Sequence, residues 1–374
     1  MGTGWVWHEL YGWHDTGKAA GFMTGPGLQP FGHFESPESK TRFASLVEVS
    51  GMLDHLVRVP ARPATEADLL RVHAEEHLAS MREQSADPRG GDMGDGLSPF
   101  GHGGYDIARW AAGGTMAAVR AVLGGQVENA YALVRPPGHH AVPERGMGFC
   151  MFANIGVAIR YAQAELGLRR VAVVDWDVHH GNGTEAVFAA DPDVLTVSLH
   201  QDGNFPPDSG TIGDRGQGDG YGSALNVPLP AGSGRGAYLH AMDRVVLPAV
   251  RAFHPELVMV ASGFDSANGD PLGRMMLTSG VYAEMTRRLM DLAGELCGGR
   301  LVISHEGGYS PVYVPFCGLA VLETLTGHKT GVDDPYEPIW SRWPGQELAD
   351  HQRAVVDAVA ELLAEVPRPT LSDR

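Results

Sequence analysis

The run Val171-Ala-Val-Val-Asp-Trp-Asp-Val-His-His-Gly-Asn-Gly183 holds the densest reactive chemistry in the chain. It begins as a β-branched apolar stretch, the pattern of a strand buried on both faces. Asp175, Asp177, His179 and His180 follow at once. Side chains two apart on extended backbone point the same way, so Asp175, Asp177 and His179 share a face where the strand ends. Two carboxylates and an imidazole suit a divalent metal. The plainer reading makes them caps of the next helix, but four ionisable groups in six residues favour the metal.

Asp265 closes a similar run, Leu257-Val-Met-Val-Ala-Ser-Gly-Phe-Asp. With Asp177 and His179 it makes a three-ligand set; alone it would read as a turn residue. Catalytic zinc takes three protein ligands and keeps one position open. Two oxygens and one nitrogen also suit Fe(II) or Mn(II). His139 and His140 follow Pro136-Pro137-Gly138. Consecutive prolines fix φ, a device for presenting imidazoles rigidly. One of them could take a proton from an activated water and return it to a leaving amine. Tyr309, in Glu306-Gly-Gly-Tyr, could donate a hydrogen bond to the oxyanion formed opposite.

These groups need a scaffold. Strand patterns at 130–134, 171–175, 194–198, 257–261 and 301–304 alternate with helical patterns at 105–123, 151–166, 184–189, 234–253, 279–296, from 315, and 347–365. Alternation of this kind predicts a mostly parallel sheet covered on both faces. Helix starts are expected at Ser36-Pro37, with Ser36 as N-cap, and at Thr65-Glu-Ala-Asp68 by the capping-box pattern; a third helix is expected over 74–82. Residues 1–38, with Trp5, Trp7, Tyr11, Trp13, Phe22, Phe31 and Phe34, read as a long aromatic loop packed on the body or on another subunit. Residues 367–374 read as a flexible tail. The polar clusters near 139, 175, 265 and 309 each follow a buried strand. Parallel strands put such ends along one edge, so convergence requires a single domain over 1–374, against a length prior of about two.

Composition narrows the classes. Lys and Arg number 28 against 45 Asp and Glu, a net charge of −17, which argues against a nucleic-acid partner. No apolar run approaches the roughly 18 residues of a membrane span, and the start of the chain lacks a secretory pattern. The expectation is an acidic cytoplasmic protein. Cys150, Cys297 and Cys317 read as reduced core thiols.

Taken together, Pro-Pro-Gly-His-His, Gly-Phe-Cys (148–150), Asp-Trp-Asp-Val-His-His-Gly-Asn-Gly, Gly-Phe-Asp and Glu-Gly-Gly-Tyr resemble the zinc-dependent histone deacetylase family, in order and over nearly the whole chain. The resemblance is nearest to class II enzymes and bacterial histone deacetylase-like amidohydrolases. It implies an arginase-like three-layer α/β fold with an eight-stranded, mostly parallel sheet, and hydrolysis of an acyl-lysine amide. It implies Zn²⁺, with Fe²⁺ as the alternative, on Asp177, His179 and Asp265. His140 would be general base and then acid, His139 its electrostatic partner oriented by Asp175, and Tyr309 the carbonyl-polarising donor. Gly148, Phe149 and Phe205 would line the substrate tunnel, and Asp95 would bind the substrate backbone. K⁺ is implied twice: at Asp175, Asp177, His179, Ser198 and Leu199, and at Phe188, Asp191, Val194 and Ser223.

Three departures stand out. Asn182 replaces the aspartate of class I enzymes and would leave His140 less basic. Met151 and Ala153 occur where relatives often carry an aromatic residue and Asn. Leu272, in Asp270-Pro-Leu-Gly, stands where polyamine-selective relatives carry Glu, which favours acyl-lysine peptides or small acylated amines over acetylpolyamines. Rival readings are a dinuclear ureohydrolase, for which Gly181 and Ala267 stand where further acids are needed, and a non-catalytic acyl-lysine binding module, which has no motif loss to support it. The aromatic N-terminal stretch is consistent with a homo-oligomer.

Overall fold

Alternate residues of the central strands enter two separate cores. In the strand Val171–Asp175, Ala172 and Val174 pack on one side and Val171 and Val173 on the other. In Leu257–Ser262 the same split puts Val258 and Val260 opposite Leu257, Met259 and Ala261. Strands that are apolar on both faces must be covered on both. Helices Glu38–Val49, Ser279–Cys297 and Val314–Thr326 cover one face, contributing Phe43, Leu289 and Leu322. Helices Gly104–Leu123 and Asn154–Glu165 cover the other, contributing Val119 and Ile159.

The computed structural model describes residues 2–369. Among these, eight strands make the main sheet: β1 (Thr3–Val6), β2 (Leu56–Arg58), β3 (Asn129–Ala132), β4 (Val171–Asp175), β5 (Val194–Gln201), β6 (Ala224–Leu229), β7 (Leu257–Ser262) and β8 (Leu301–His305). Their order is β6-β5-β4-β7-β8-β3-β1-β2, and every neighbouring pair is parallel. This is the expected three-layer α/β fold. Because β4, β7, β8 and β3 are consecutive neighbours, their carboxyl ends form one continuous edge.

The N-terminal segment departs from the expected loop. β1 lies inside the sheet, between β3 and β2. Thr-Gly-Trp-Val is only four residues long and holds a glycine, too little to read as a strand. Gly4 is there because a Cβ would stand 3.0 Å from that of Ala130. Trp5 packs on Phe43 and Tyr131, with ring centroids 5.7 and 5.9 Å away. The rest is mostly irregular and is pinned by Arg135, which is fully buried. Its guanidinium donates to Glu35 Oε1 (2.9 Å), to the Glu35 carbonyl (3.0 Å) and to the carbonyls of Tyr11 (3.0 Å) and His14 (2.7 Å). The aromatic stretch is therefore packed on the body, although Trp13 and Phe31 remain exposed.

Other differences are local. Ser36 does not cap: the helix begins at Glu38 with Pro37 in the N-cap position. The Thr65–Asp68 capping box does form. The edge strands β2 and β6 have no counterpart among the expected elements; β6 carries Pro228, which an edge strand tolerates. The helix expected over 234–253 contains one wide turn, Met242–Val246. In the tail, the Pro367 carbonyl accepts a hydrogen bond from Arg170 (3.0 Å), while 370–374 lie outside the described residues. All three cysteines are buried and free. No helix among the described residues is long and apolar enough to cross a membrane.

Candidate active site

The chain after each of the four central strands turns into the same place. Asp177, His179 and Asp265 each offer a ligand atom, and these lie within 4.8 Å of one another. All three residues are buried. Asp177 Oδ1 accepts from the His179 amide (2.9 Å) and Oδ2 from the Gly307 amide (2.8 Å). Asp265 Oδ1 accepts from the Val178 amide (2.8 Å). Asp265 Oδ2 is buried without a hydrogen bond, 3.3 Å from His179 Nδ1. Gly307 leaves room for this oxygen, since a Cβ there would fall 2.1 Å from it.

Two buried carboxylates this close need a cation or a proton between them, and burial with the charge of Asp177 raises the Asp265 carboxyl accordingly. Burial opposes a charge on His179, yet its 2.9 Å hydrogen bond to Asp177 Oδ1 and the negative charge of Asp177 and Asp265 outweigh it and raise its pKa to about 10. An orphaned carboxylate oxygen, two acids and an imidazole fit a divalent cation of the zinc or iron kind. In a second close trio, His139, Cys150 and Glu306, the histidine is held by Asp175 and Glu306 Oε2 by two amides, while Glu306 Oε1 is buried without a hydrogen bond.

His139 Nδ1 lies 3.0 Å from Asp175 Oδ2. Burial would lower its pKa, but Asp177 and Asp175 raise it to about 10. His140 Nδ1 lies 2.7 Å from Asn182 Oδ1. Burial and the neighbouring His139 and His179 hold its pKa well below the usual histidine value. The two rings, with centroids 3.9 Å apart, are thus driven to opposite protonation states. With Nδ1–H donating to the Asn182 amide oxygen, neutral His140 keeps a free lone pair on Nε2. Glu306 fixes the turn that carries both, its Oε2 accepting from the amides of Gly138 (2.6 Å) and His139 (3.0 Å). Burial raises the Glu306 carboxyl to about 7. This positioning role was not foreseen, although Glu306 stands in a motif already singled out.

His140, His179 and Tyr309 border a cavity of about 110 Å³ whose other walls include Asp95, Gly148, Phe149, Phe205 and Leu272. Phe205 meets His140 edge-on at 5.0 Å, and Phe149 meets Tyr309 at 5.8 Å. Phe22, Leu97 and Asn204 also line it; none was foreseen, and Phe22 belongs to the segment whose path the sequence did not reveal. Tyr309 is held by its amide, which donates to Asp270 Oδ2 (2.7 Å), and by the Gly308 carbonyl, which accepts from Ser39 Oγ (2.9 Å) and Lys40 Nζ (3.1 Å). Asp95 lines the cavity with both oxygens engaged, by the Leu97 amide (2.9 Å), Ser98 Oγ (2.9 Å) and the Gly148 amide (2.7 Å).

The two sets matched to K⁺ are also brought together in space. Asp175 and Ser198 are register partners, with Leu199 next along β5. Phe188, Asp191 and Val194 form a tight turn, the Asp191 amide bonding the Phe188 carbonyl (2.9 Å) and the Val194 amide the Asp191 carbonyl (3.4 Å). The Ser223 carbonyl accepts from the Thr196 amide (2.8 Å).

A parallel sheet with this edge and this tunnel defines a hydrolase of the deacetylase kind. The comparisons agree. A model of the histone deacetylase domain matches residues 33–325. The chain is 49% identical to the histone deacetylase-like amidohydrolase of Pseudomonas aeruginosa, over 96% of this chain and 95% of that one. It is 34% identical to a probable deacetylase of Archaeoglobus fulgidus over 87% of each. The crystal structure of the HDA15 HD domain aligns with a TM-score of 0.85 at 32% identity, covering 98% and 95% of the two chains. The chain belongs to the histone deacetylase family, whose reaction is hydrolysis of an amide bond.

Proposed function

We propose that this enzyme removes acetyl or related acyl groups from a lysine-like amine, in a peptide or a small molecule, within one catalytic domain. Asp177, His179 and Asp265 would hold Zn²⁺, with Fe²⁺ the alternative. Bound there, the ion supplies Lewis acidity, polarising the amide carbonyl and making water nucleophilic near neutral pH. His140 Nε2 takes a proton from the attacking water and passes it to the departing nitrogen. His139, held by Asp175, lies beside His140, whose burial keeps it neutral and thus ready as a base. The Tyr309 hydroxyl donates to the developing oxyanion. Phe149, Phe205 and Gly148 enclose the methylenes of the substrate and exclude water. K⁺ at the two sets of residues described above would steady the loops after β4 and β5.

The observation that carries this reading is one cavity bordered at once by His179, His140 and Tyr309. Acetylpolyamine hydrolysis is the second reading, on the same machinery. Leu272 in the cavity wall offers no charge to a second ammonium, which favours acyl-lysine substrates. A ureohydrolase is disfavoured by Gly181 and Ala267, where a second metal needs acids. The net charge of −17 favours cationic substrates over nucleic acid, and the exposed Trp13 and Phe31 would suit a homo-oligomer contact. A cytoplasmic location fits the three free thiols.

The test is a rate comparison on zinc-reconstituted protein: acetyl-lysine peptides, longer and fluorinated acyl-lysines, and acetylpolyamines. Release of acid from the lysine series, at rates well above those for the polyamines, is expected. Polyamine turnover that outruns every lysine substrate would reverse the order of the two readings, and no release from any would remove both.

A further inference from the structure

Phe149 stands in the cavity wall on an uncommon backbone. Gly148 has φ 54° and Phe149 φ 66°, two left-handed residues in succession. Glycine accepts that conformation readily, whereas a bulky aromatic residue does not. Gly148 is also needed for space, since a Cβ there would lie 2.4 Å from His140 Cδ2. Something must hold Phe149 in the turn.

Two side chains of the 92–98 loop do so. Asp95 Oδ2 accepts from the Gly148 amide (2.7 Å) and from Ser98 Oγ (2.9 Å). With its proton given to Asp95, Ser98 Oγ turns a lone pair to the Phe149 amide, which donates at 2.8 Å. Both left-handed residues thus have their N–H groups bound to one carboxylate–hydroxyl pair. Asp92 shapes the loop beneath: Oδ1 accepts from the amides of Gly94 and Gly96 (2.8 Å each), and Oδ2 from that of Ser98 (3.1 Å). Ser98 is only 1% exposed, so it acts through its neighbours and does not itself meet a ligand in the cavity. On the outer side His33 backs the Phe149 ring edge-on at 5.0 Å.

We propose that Asp95 and Ser98 are positioning residues that clamp Gly148–Phe149 in its left-handed turn and so set where the Phe149 ring meets the substrate's methylenes. The identity of that substrate rests on the function proposed above; the clamp does not. The resemblance would place Asp95 against the substrate backbone. Here its oxygens also serve the tunnel wall.

The first test needs no turnover. Ser98→Ala, and separately Asp95→Asn, should speed hydrogen exchange at the amides of Gly148 and Phe149 while exchange in β4 and β7 stays unchanged. Unaltered exchange at both amides in either folded variant overturns the clamp. The second test is a double-mutant cycle on an acetyl-lysine substrate. Ser98→Ala should raise KM roughly five- to tenfold, the loss of about one buried hydrogen bond, with kcat within about twofold, and should add nothing once Phe149→Ala has removed the ring. Equal effects with and without the Phe149 ring would refute the role assigned to Ser98. A wild-type protein inert on acyl-lysines would instead count against the proposed substrate, leaving the exchange result to decide the clamp.

Discussion

Replacing Glu35 by Gln isolates one buried charge. Glu35 is fully buried, its Oε1 2.9 Å from Arg135 Nε and 3.6 Å from Lys40 Nζ. Burial alone would raise its carboxyl; the charges of Arg135 and Lys40 outweigh that and hold its pKa at about 2. Relative to an ordinary value of 4.5, this shift corresponds to about 3 kcal/mol of folding stability at neutral pH. Breaking a buried ion pair costs about 3–5 kcal/mol by a separate route. Glutamine keeps the acceptor for Arg135 Nε, and its NH2 group falls where Oε2 has no hydrogen bond to lose. Lys40, its pKa already lowered by burial, can shed its proton in the variant, which limits the loss to the lower figure. For a chain of 374 residues that is a fall in Tm of roughly 4 °C. The sign with pH follows from the depressed pKa: the contribution is present above the unfolded value and is lost as pH falls through about 2. Thermal unfolding of both proteins from pH 7 downward should show a gap that narrows below about pH 4.5. An unchanged Tm at pH 7, or a gap indifferent to pH, refutes the argument.

Tyr309→Phe removes the donor to the oxyanion and should lower kcat by about 10²–10³ with little change in KM; a kcat within about tenfold of wild type would remove Tyr309 from that role. Asn182→Asp places a carboxylate 2.7 Å from His140 Nδ1, favours its imidazolium and should move the acidic limb of the kcat/KM profile upward by about one to three pH units. An unmoved limb would show that Asn182 does not tune the base. Leu272→Glu puts a negative charge in the cavity wall and should raise kcat/KM for acetylspermidine relative to acetyl-lysine amide by about tenfold; an unchanged ratio would mean that this position does not select the amine.

Much of the site was legible because buried parallel strands announce themselves. Val171–Val174 and Leu257–Ala261 are unbroken apolar runs, and in a parallel sheet whatever follows such runs must meet at one edge. Asp177, His179, Asp265, His139, His140 and Tyr309 came together for that reason. β1 stayed hidden because Thr3-Gly-Trp-Val is short and its pairing is imposed by neighbours on both sides. Glu306 and Asp270 were present in the sequence patterns, but their hydrogen bonds to the amides of Gly138, His139 and Tyr309 depend on how loops cross, which no local pattern encodes. Asp95 shows the converse: its position at the cavity was foreseen, and its attachment to the Gly148 amide was not.

The central claim is that Asp177, His179 and Asp265 bind one ion. Metal content measured after chelation, addition of excess Zn²⁺ and removal of the unbound fraction should give about one zinc per chain in the wild-type protein, and none retained by Asp265→Ala with its fold intact. Two tightly held ions per chain, or full retention by the variant, would contradict it.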